Sequence, residues 1–288
     1  MGSGGVMTES IAVGTDGSAA ATAALVWAVD DAIRRGLPLR IVHVVDRWPY
    51  DVAELPAPDR PDHLSRRGEQ VLAEAVAASA ERGPGVCVTA ELIEGAPVKV
   101  LGEQAGSVVE LVIGNRGLGG FAGSPLGSVP IRVAGHVPGA VVVVRPGAGQ
   151  THGEVVVGID GSAECQPALS FAFEQAVLRG CPLRAVYGWQ APVHAFTPEA
   201  GRDMDEVRQE QRRMVADRLT GWKEEFPTVK VVQDVTCAHP VPTLVAASAR
   251  ADLLVVGSRG LGAVGSVLLG SVSRGVLHHA HCPVAVVR

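Results

Sequence analysis

Residues 11–20 read IAVGTDGSAA and residues 155–164 read VVVGIDGSAE. In both, a short apolar run rich in β-branched residues meets Asp-Gly, a turn former, and then a serine ahead of alanine. That order predicts a strand, a tight turn and a helix with Ser18 or Ser162 as its N-cap. Gly14 and Gly158 stand 144 positions apart (14 to 158), and the echo continues outward from them. GLPLRIVHV (36–44) is answered by GCPLRAVYG (180–188), and GAPVKVL (95–101) more faintly by AHPVPTL (238–244). GNRGLGGFAGSPLGSVP (114–130) pairs with GSRGLGAVGSVLLGSVS (257–273), and AVVVVR (140–145) and PVAVVR (283–288) close each half. A repeat this long is a duplicated domain and not a solenoid unit. The Pro/Gly-rich PGAGQTHGE (146–154) marks the junction, which places one domain at 8–146 and a second at 154–288.

Within each half, short apolar runs alternate with longer segments of helical periodicity. In the first half the expected strands are 11–15, 39–45, 86–93, 111–114 and 140–144, with helices between them. The first helix should end at Gly36, ahead of Pro38, and its counterpart at Gly180, ahead of Pro182. Strands apolar on both faces belong to a parallel sheet covered on both sides, and right-handed crossovers make this a doubly wound α/β sandwich. Such folds bind ligands at the carboxyl ends of their strands.

The 288 residues, 47% hydrophobic and 19% charged, supply enough apolar material for two cores. A net charge of −5 with scattered arginines leaves no footprint for nucleic acid. Apolar runs stop well short of the ~18–20 residues that span a bilayer, so a soluble protein with no membrane partner is expected. The 5 cysteines (Cys87, Cys165, Cys181, Cys237, Cys282) form no C-x-x-C pair, which suggests neither a disulfide framework nor a zinc site and fits a reducing cytoplasm. The opening MGSGGVMTES lacks the regions of a secretory signal and is expected to contribute nothing to the fold, with Met7 as a natural start.

The glycine-rich stretches follow the fourth strand of each half and end at Gly-Ser, where a helix should begin. Gly114, Gly117, Gly257 and Gly260 are expected to allow positive φ and close backbone approach, so that successive N–H groups turn toward one anion. Gly127-Ser128 and Gly270-Ser271 then set hydroxyls and free N–H groups at a helix N-terminus, which favours phosphate. The plain alternative is a turn and a helix cap. Keeping a glycine pair, a nine-residue spacing and a Gly-Ser in both copies argues for a phosphate cradle. No Gly-Lys-Ser/Thr is present, which excludes a Walker P-loop. Gly260-Leu261-Gly262-Ala263-Val264-Gly265 spells G-x-G-x-x-G, but it follows the wrong strand and lacks the ribose-binding acid about 20 residues on, so it is no Rossmann fingerprint. No G-x-S-x-G elbow marks a serine hydrolase.

Gly-x-x-Gly, nine residues and Gly-Ser, after the fourth strand of a five-stranded unit whose first strand ends in Asp, resembles the ATP-binding universal stress proteins. The resemblance covers essentially the whole chain, as a tandem pair of the actinobacterial type. It implies two doubly wound five-stranded parallel-sheet sandwiches of order 3-2-1-4-5, adenine-nucleotide alpha-hydrolase-like in fold, paired as a pseudo-dimer through their last strands. It also implies ATP, with or without Mg²⁺, in a cleft at the strand ends. Carried onto this chain, the phosphate and ribose contacts fall on Gly114, Asn115, Arg116, Gly117, Leu118, Gly119, Gly120, Gly127, Ser128 and Val129. In the second half they fall on Gly257, Ser258, Arg259, Gly260, Leu261, Gly262, Ala263, Gly270, Ser271, Val272 and Ser273. Gly14 and Asp16, and Gly158 and Asp160, line the nucleotide from the other side, with the backbone around Val44 and Gly188 near the adenine. A turn-and-cap role stays open for Asp16 and Asp160, as does plain solvation for Arg116 and Arg259. The function implied is regulation of stress or growth responses through nucleotide-dependent conformation or partner binding, with no catalytic residue assigned. A slow ATPase or nucleotidyl-transferring enzyme and a nucleotide-free interaction module are the alternatives. The partners expected are ATP and a regulatory protein, with a homodimer open.

The copies differ at one telling place. Ser273 offers a hydroxyl and an N–H in the first helical turn, where Pro130 offers neither, and Pro125 stiffens the loop where the second half has Leu268. A lost hydrogen bond to a charged group is worth about 1.5–3 kcal/mol, so tighter ATP binding is expected in the second half. His278, His279 and His281 are read as capping the last helix and not as a metal site. The Pro-rich segments 46–62 and 189–201 are read as loops beside the cleft.

Overall fold

The computed structural model describes residues 9–47, 63–119, 125–147, 151–190, 204–260 and 269–288. The chain divides into two units, Met1–Pro146 and Gly147–Arg288. In the first, β1 (Ile11–Gly14) leads to α1 (Ala19–Arg35), β2 (Leu39–Val45), α2 (His63–Arg82) and β3 (Val88–Glu94). The chain then forms α3 (Pro97–Ala105), β4 (Glu110–Gly114), α4 (Ser128–His136) and β5 (Ala140–Val144). The pairings are all parallel: Ile11 lies opposite Leu39 and Glu110, Leu39 opposite Val88, and Glu110 opposite Ala140. The order is therefore β3-β2-β1-β4-β5, that is 3-2-1-4-5.

The second unit repeats this with β6 (Val155–Gly158), α5 (Gln166–Arg179), β7 (Leu183–Trp189), α6 (Met204–Glu225) and β8 (Val231–Cys237). It continues through α7 (Pro240–Ser248), β9 (Leu253–Gly257), α8 (Ser271–His279) and β10 (Val284–Val287). Its parallel order is β8-β7-β6-β9-β10.

The central strands are sealed on both faces: Ile11, Ala12, Val13, Leu111 and Val112 are fully buried, as are Val155, Val156 and Val157. Strands β3 and β8, paired on one side only, are half-exposed and carry polar residues such as Glu91 and Asp234. That suits strands whose free edges must resist pairing with other chains. α1 packs through Ala20, Ala24, Ala28 and Ala32, a buried small-residue stripe at helical spacing. In the second unit Phe173 of α5 stacks with Trp222 of α6 and with Phe226 just beyond its end, at ring separations of 5.8 and 5.4 Å.

Ser18 caps α1 as its position predicts, its hydroxyl accepting from Ala21 N–H at 3.2 Å, and Gly36 closes the helix in the left-handed region at φ 65°. Ser162 does not repeat the cap. A 3₁₀ turn, Ala163–Cys165, intervenes and α5 begins at Gln166, with Pro167 in its first turn. Proline has no N–H to be capped and its fixed φ suits a helix start, so the helix begins later. The Ser162 hydroxyl instead donates to Asp160 at 2.6 Å. β3 likewise starts two residues later than the apolar run, because Val86 N–H donates to Gly83 O in a turn.

Polar residues also lie inside the first unit. Asp31 and Glu110 are 0% and 1% exposed, and Arg35 meets them at 2.8 and 3.8 Å. Removing the cation from two buried carboxylates is far costlier than removing a surface charge. Arg35→Met should lower the unfolding free energy by about 3 kcal/mol or more, read as a fall in the urea midpoint.

Candidate functional site

In each unit the strand order reverses between neighbours, β1 and β4 or β6 and β9, so their following loops part and leave a crevice at the carboxyl ends. In the first unit the crevice is a cavity of about 290 Å³. Gly14, Thr15 and Asp16 line it after β1, Val42 and Val44 from β2, Pro97 and Leu101 from α3, and Ile113 from β4. Ala21 of α1, Gly114, residues 116–119 of the glycine turn and residues 127–130 at the start of α4 complete the described lining. The second crevice, about 650 Å³, is built from the matching elements: residues 158–160, residues 186–190, Pro240 and Leu244 of α7, Val256 of β9, Gly257, Arg259, Gly260 and residues 269–274.

One carboxylate organises each crevice. Asp16 accepts from Ser18 N–H at 2.9 Å through one oxygen and from Leu118 N–H at 2.8 Å through the other, so it joins the turn after β1 to the turn after β4. Asp160 accepts from Ser162 N–H in the same way at 2.9 Å. A Cβ on Gly117 would collide with Asp16 Oδ2, and one on Gly260 with Asp160 Oδ2. This corrects the expected use of the glycines. Gly114, Gly117, Gly257 and Gly260 do not adopt positive φ; that conformation belongs to Gly17 and Gly161, at 79° and 78°. Gly114 is required by packing, since a Cβ there would come within 2.8 Å of the Ala20 backbone in α1.

The sequence pattern of the universal stress protein family matches residues 7–145 and again residues 152–288. The chain belongs to the universal stress protein family. A universal stress protein of Mycobacterium tuberculosis strain H37Rv is 39% identical to it, over 97% of both chains. Another, from Mycolicibacterium smegmatis, is 33% identical over 96% of both. Among solved structures, a universal stress protein from Archaeoglobus fulgidus superposes with a TM-score of 0.65 at 19% identity, covering 98% of this chain and 97% of that one, a likeness of fold.

In both universal stress protein units the helix after the glycine turn starts without a side-chain cap. Gly127 and Gly270 are the N-caps, in extended backbone, and neither helix has a capping hydrogen bond from a side chain. Asn115 O and Ser258 O accept from Gly127 N–H and Gly270 N–H at 2.8 and 2.9 Å, which clasps each turn shut. Asn115 and Ser258 are themselves buried, and neither lines its crevice. Expected as ligand contacts, they are instead ties: Asn115 N–H reaches Val144 O and its side-chain amide reaches Pro125 O, while Ser258 N–H reaches Val287 O. The N–H groups of Ser128 and Val129, and of Ser271, Val272 and Ser273, belong to first helical turns bordering the cavities. Ser273 departs from expectation, because its hydroxyl donates to Gly257 O at 2.6 Å and so is not a free donor to a ligand. Gly120, Leu261, Gly262 and Ala263 lie outside the described residues.

Several lining residues escaped the sequence reading: Thr15, Ala21, Val42, Pro97, Leu101 and Ile113 in the first crevice, and Ile159, Cys165, Tyr187, Pro240, Leu244 and Arg274 in the second. Pro97 and Pro240 had a signal, the faint GAPV/AHPV echo, which proves to be the helix start facing the crevice. Of the two Pro-rich segments the described residues contain Asp46 and Arg47 of the first and, of the second, Trp189, which ends β7, and Gln190; the rest lies outside them. His278 and His279 do sit in the last turn of α8, and among the described residues no cluster of His, Cys, Asp or Glu is arranged to hold a metal.

Cys165 faces the second crevice where the first has Ala21. Burial pushes its thiol pKa up, Asp160 adds to the shift, and its Sγ donates to Ser162 O. A raised pKa leaves less thiolate at any given pH and so a slower thiol. Iodoacetamide at pH 8 should label the exposed Cys87 and Cys237 first and Cys165 far later, as read by peptide mass spectrometry. Ser273→Ala should cost about 1–2 kcal/mol in urea unfolding by leaving Gly257 O without its donor.

Proposed function

We propose that the chain binds ATP, with or without Mg²⁺, in the crevice of each unit and regulates stress or growth responses through nucleotide-dependent conformation or partner binding. The observation that carries this reading is the uncapped helix start, built twice: first-turn N–H groups beside a glycine turn, at the rim of one cavity. First-turn N–H groups have no partner within their helix and suit an anion, and the helix dipole favours one at that end. Val42, Val44, Leu101 and Ile113 supply an apolar wall suited to a base in the first crevice, and Val186, Leu244 and Val256 one in the second. Arg116 and Arg259 line the same cavities and offer positive charge to phosphate. Asp16 and Asp160 are the carboxylates among the described lining residues that could reach a Mg²⁺ carried on the phosphates. With ATP bound, its phosphates would supply the acceptors that the helix starts lack.

Mass spectrometry of ligand released from the natively purified protein, together with melting curves at rising ATP, tests the reading. ATP at 100 times its Kd should add about 2.7 kcal/mol of stability and raise Tm accordingly. Gly117→Ala combined with Gly260→Ala, each forcing a Cβ against its aspartate, should weaken ATP binding about tenfold or more. A protein that releases no nucleotide and melts at the same temperature with and without ATP would be an interaction module instead.

A further inference from the structure

We infer that the two crevices differ in preference: the second holds ATP tightly through its polyphosphate, and the first, which takes ATP weakly, prefers the adenine nucleoside or its monophosphate. The inference rests on reading both crevices as nucleotide sites. It comes from positions that the repeat makes equivalent and the structure makes unequal. Pro130 and Ile131 follow Ser128-Val129 in the first unit, where Ser273 and Arg274 follow Ser271-Val272 in the second. The second helix start therefore presents one more N–H donor than the first, because proline has none. Arg274 also lines the second crevice, so its described lining holds two arginines, Arg259 and Arg274, and one carboxylate, Asp160. The described lining of the first holds one arginine, Arg116, and one carboxylate, Asp16.

The arginines of the two glycine turns differ in burial as well. Arg116 is exposed, whereas Arg259 is half-buried and its Nε is shielded from water without a hydrogen-bond partner among the described residues. A donor in that state gains most from an anionic acceptor, and each added phosphate brings more charge to be matched by N–H groups and guanidinium. Size points the same way. The second cavity is about 650 Å³ against about 290 Å³, with Gly188 lining it where Val44 lines the first.

The test is isothermal titration of the full chain with ATP, AMP and adenosine, repeated on two grafts that exchange the unequal residues, Ser273→Pro with Arg274→Ile and Pro130→Ser with Ile131→Arg. The unaltered chain should take up one equivalent of ATP tightly and a second at least tenfold more weakly. The first graft should weaken the tight ATP site tenfold or more while changing AMP affinity less than threefold, and the second graft should strengthen the weak ATP site. Melting curves without ligand show that each graft is folded, and Ser273→Ala, which keeps the N–H, should retain tight ATP binding. Two equal ATP sites, or equal losses of ATP and AMP in the first graft, would overturn the division of ligands while leaving nucleotide binding intact. Absence of heat and of any melting shift with all three ligands would overturn the nucleotide reading itself, and this inference with it.

Discussion

The ligand end of the first unit hangs on a carboxylate that has to serve two loops at once, and Asp160 stands in the matching place in the second, against Gly260. Adjacent parallel strands β1 and β4 deliver their chains to opposite sides of the sheet, so the loops after them part just where the crevice forms. Asp16 holds them together, taking an N–H from Ser18 on one side and from Leu118 on the other. Each of these is a hydrogen bond to a charged acceptor, stronger than its neutral counterpart. The turn after β1, the cap of α1 and the path of the glycine turn are therefore set by one side chain.

That constraint explains the glycines better than conformational freedom does. Once the aspartate occupies its place, Gly117 and Gly260 must lack a Cβ because the carboxylate stands there. Gly114 must lack one because α1 rests on its backbone through a run of alanines. The carbonyls of Asn115 and Ser258 then clasp the N-cap glycines, and the next N–H groups are left at the mouth of the cavity. Scaffold and ligand-facing donors thus come from adjacent residues. The aspartate and the glycines of the scaffold are the same in both units, and ligand-facing positions have drifted, as Pro130 against Ser273 and Ile131 against Arg274 illustrate.

Much of this was legible in the residue order. The strand–turn–helix of 11–20 and its second copy led to two α/β units with a crevice at the strand ends, and the family resemblance carried by the glycine motif implied the order 3-2-1-4-5. Legibility faded where a residue's role depends on what faces it. Ser162 looks like Ser18, yet Pro167 delays the helix and leaves Ser162 bonded to Asp160. Ser273 looks like a phosphate donor, yet a carbonyl of β9 takes its hydroxyl. Cys165, Tyr187 and Arg274 carry no motif, and they reach the crevice only because helix and strand ends converge on it.

The sequence by itself determined the alternation of strands and helices, their duplication and the family, because these follow from local periodicity, turn chemistry and a motif of fixed spacing. The tertiary structure alone decided which donors remain free, which glycines are sterically required and how far the two crevices differ. Those are matters of distance between residues about a hundred positions apart in the chain, such as Asp16 and Leu118, and no local pattern encodes a distance.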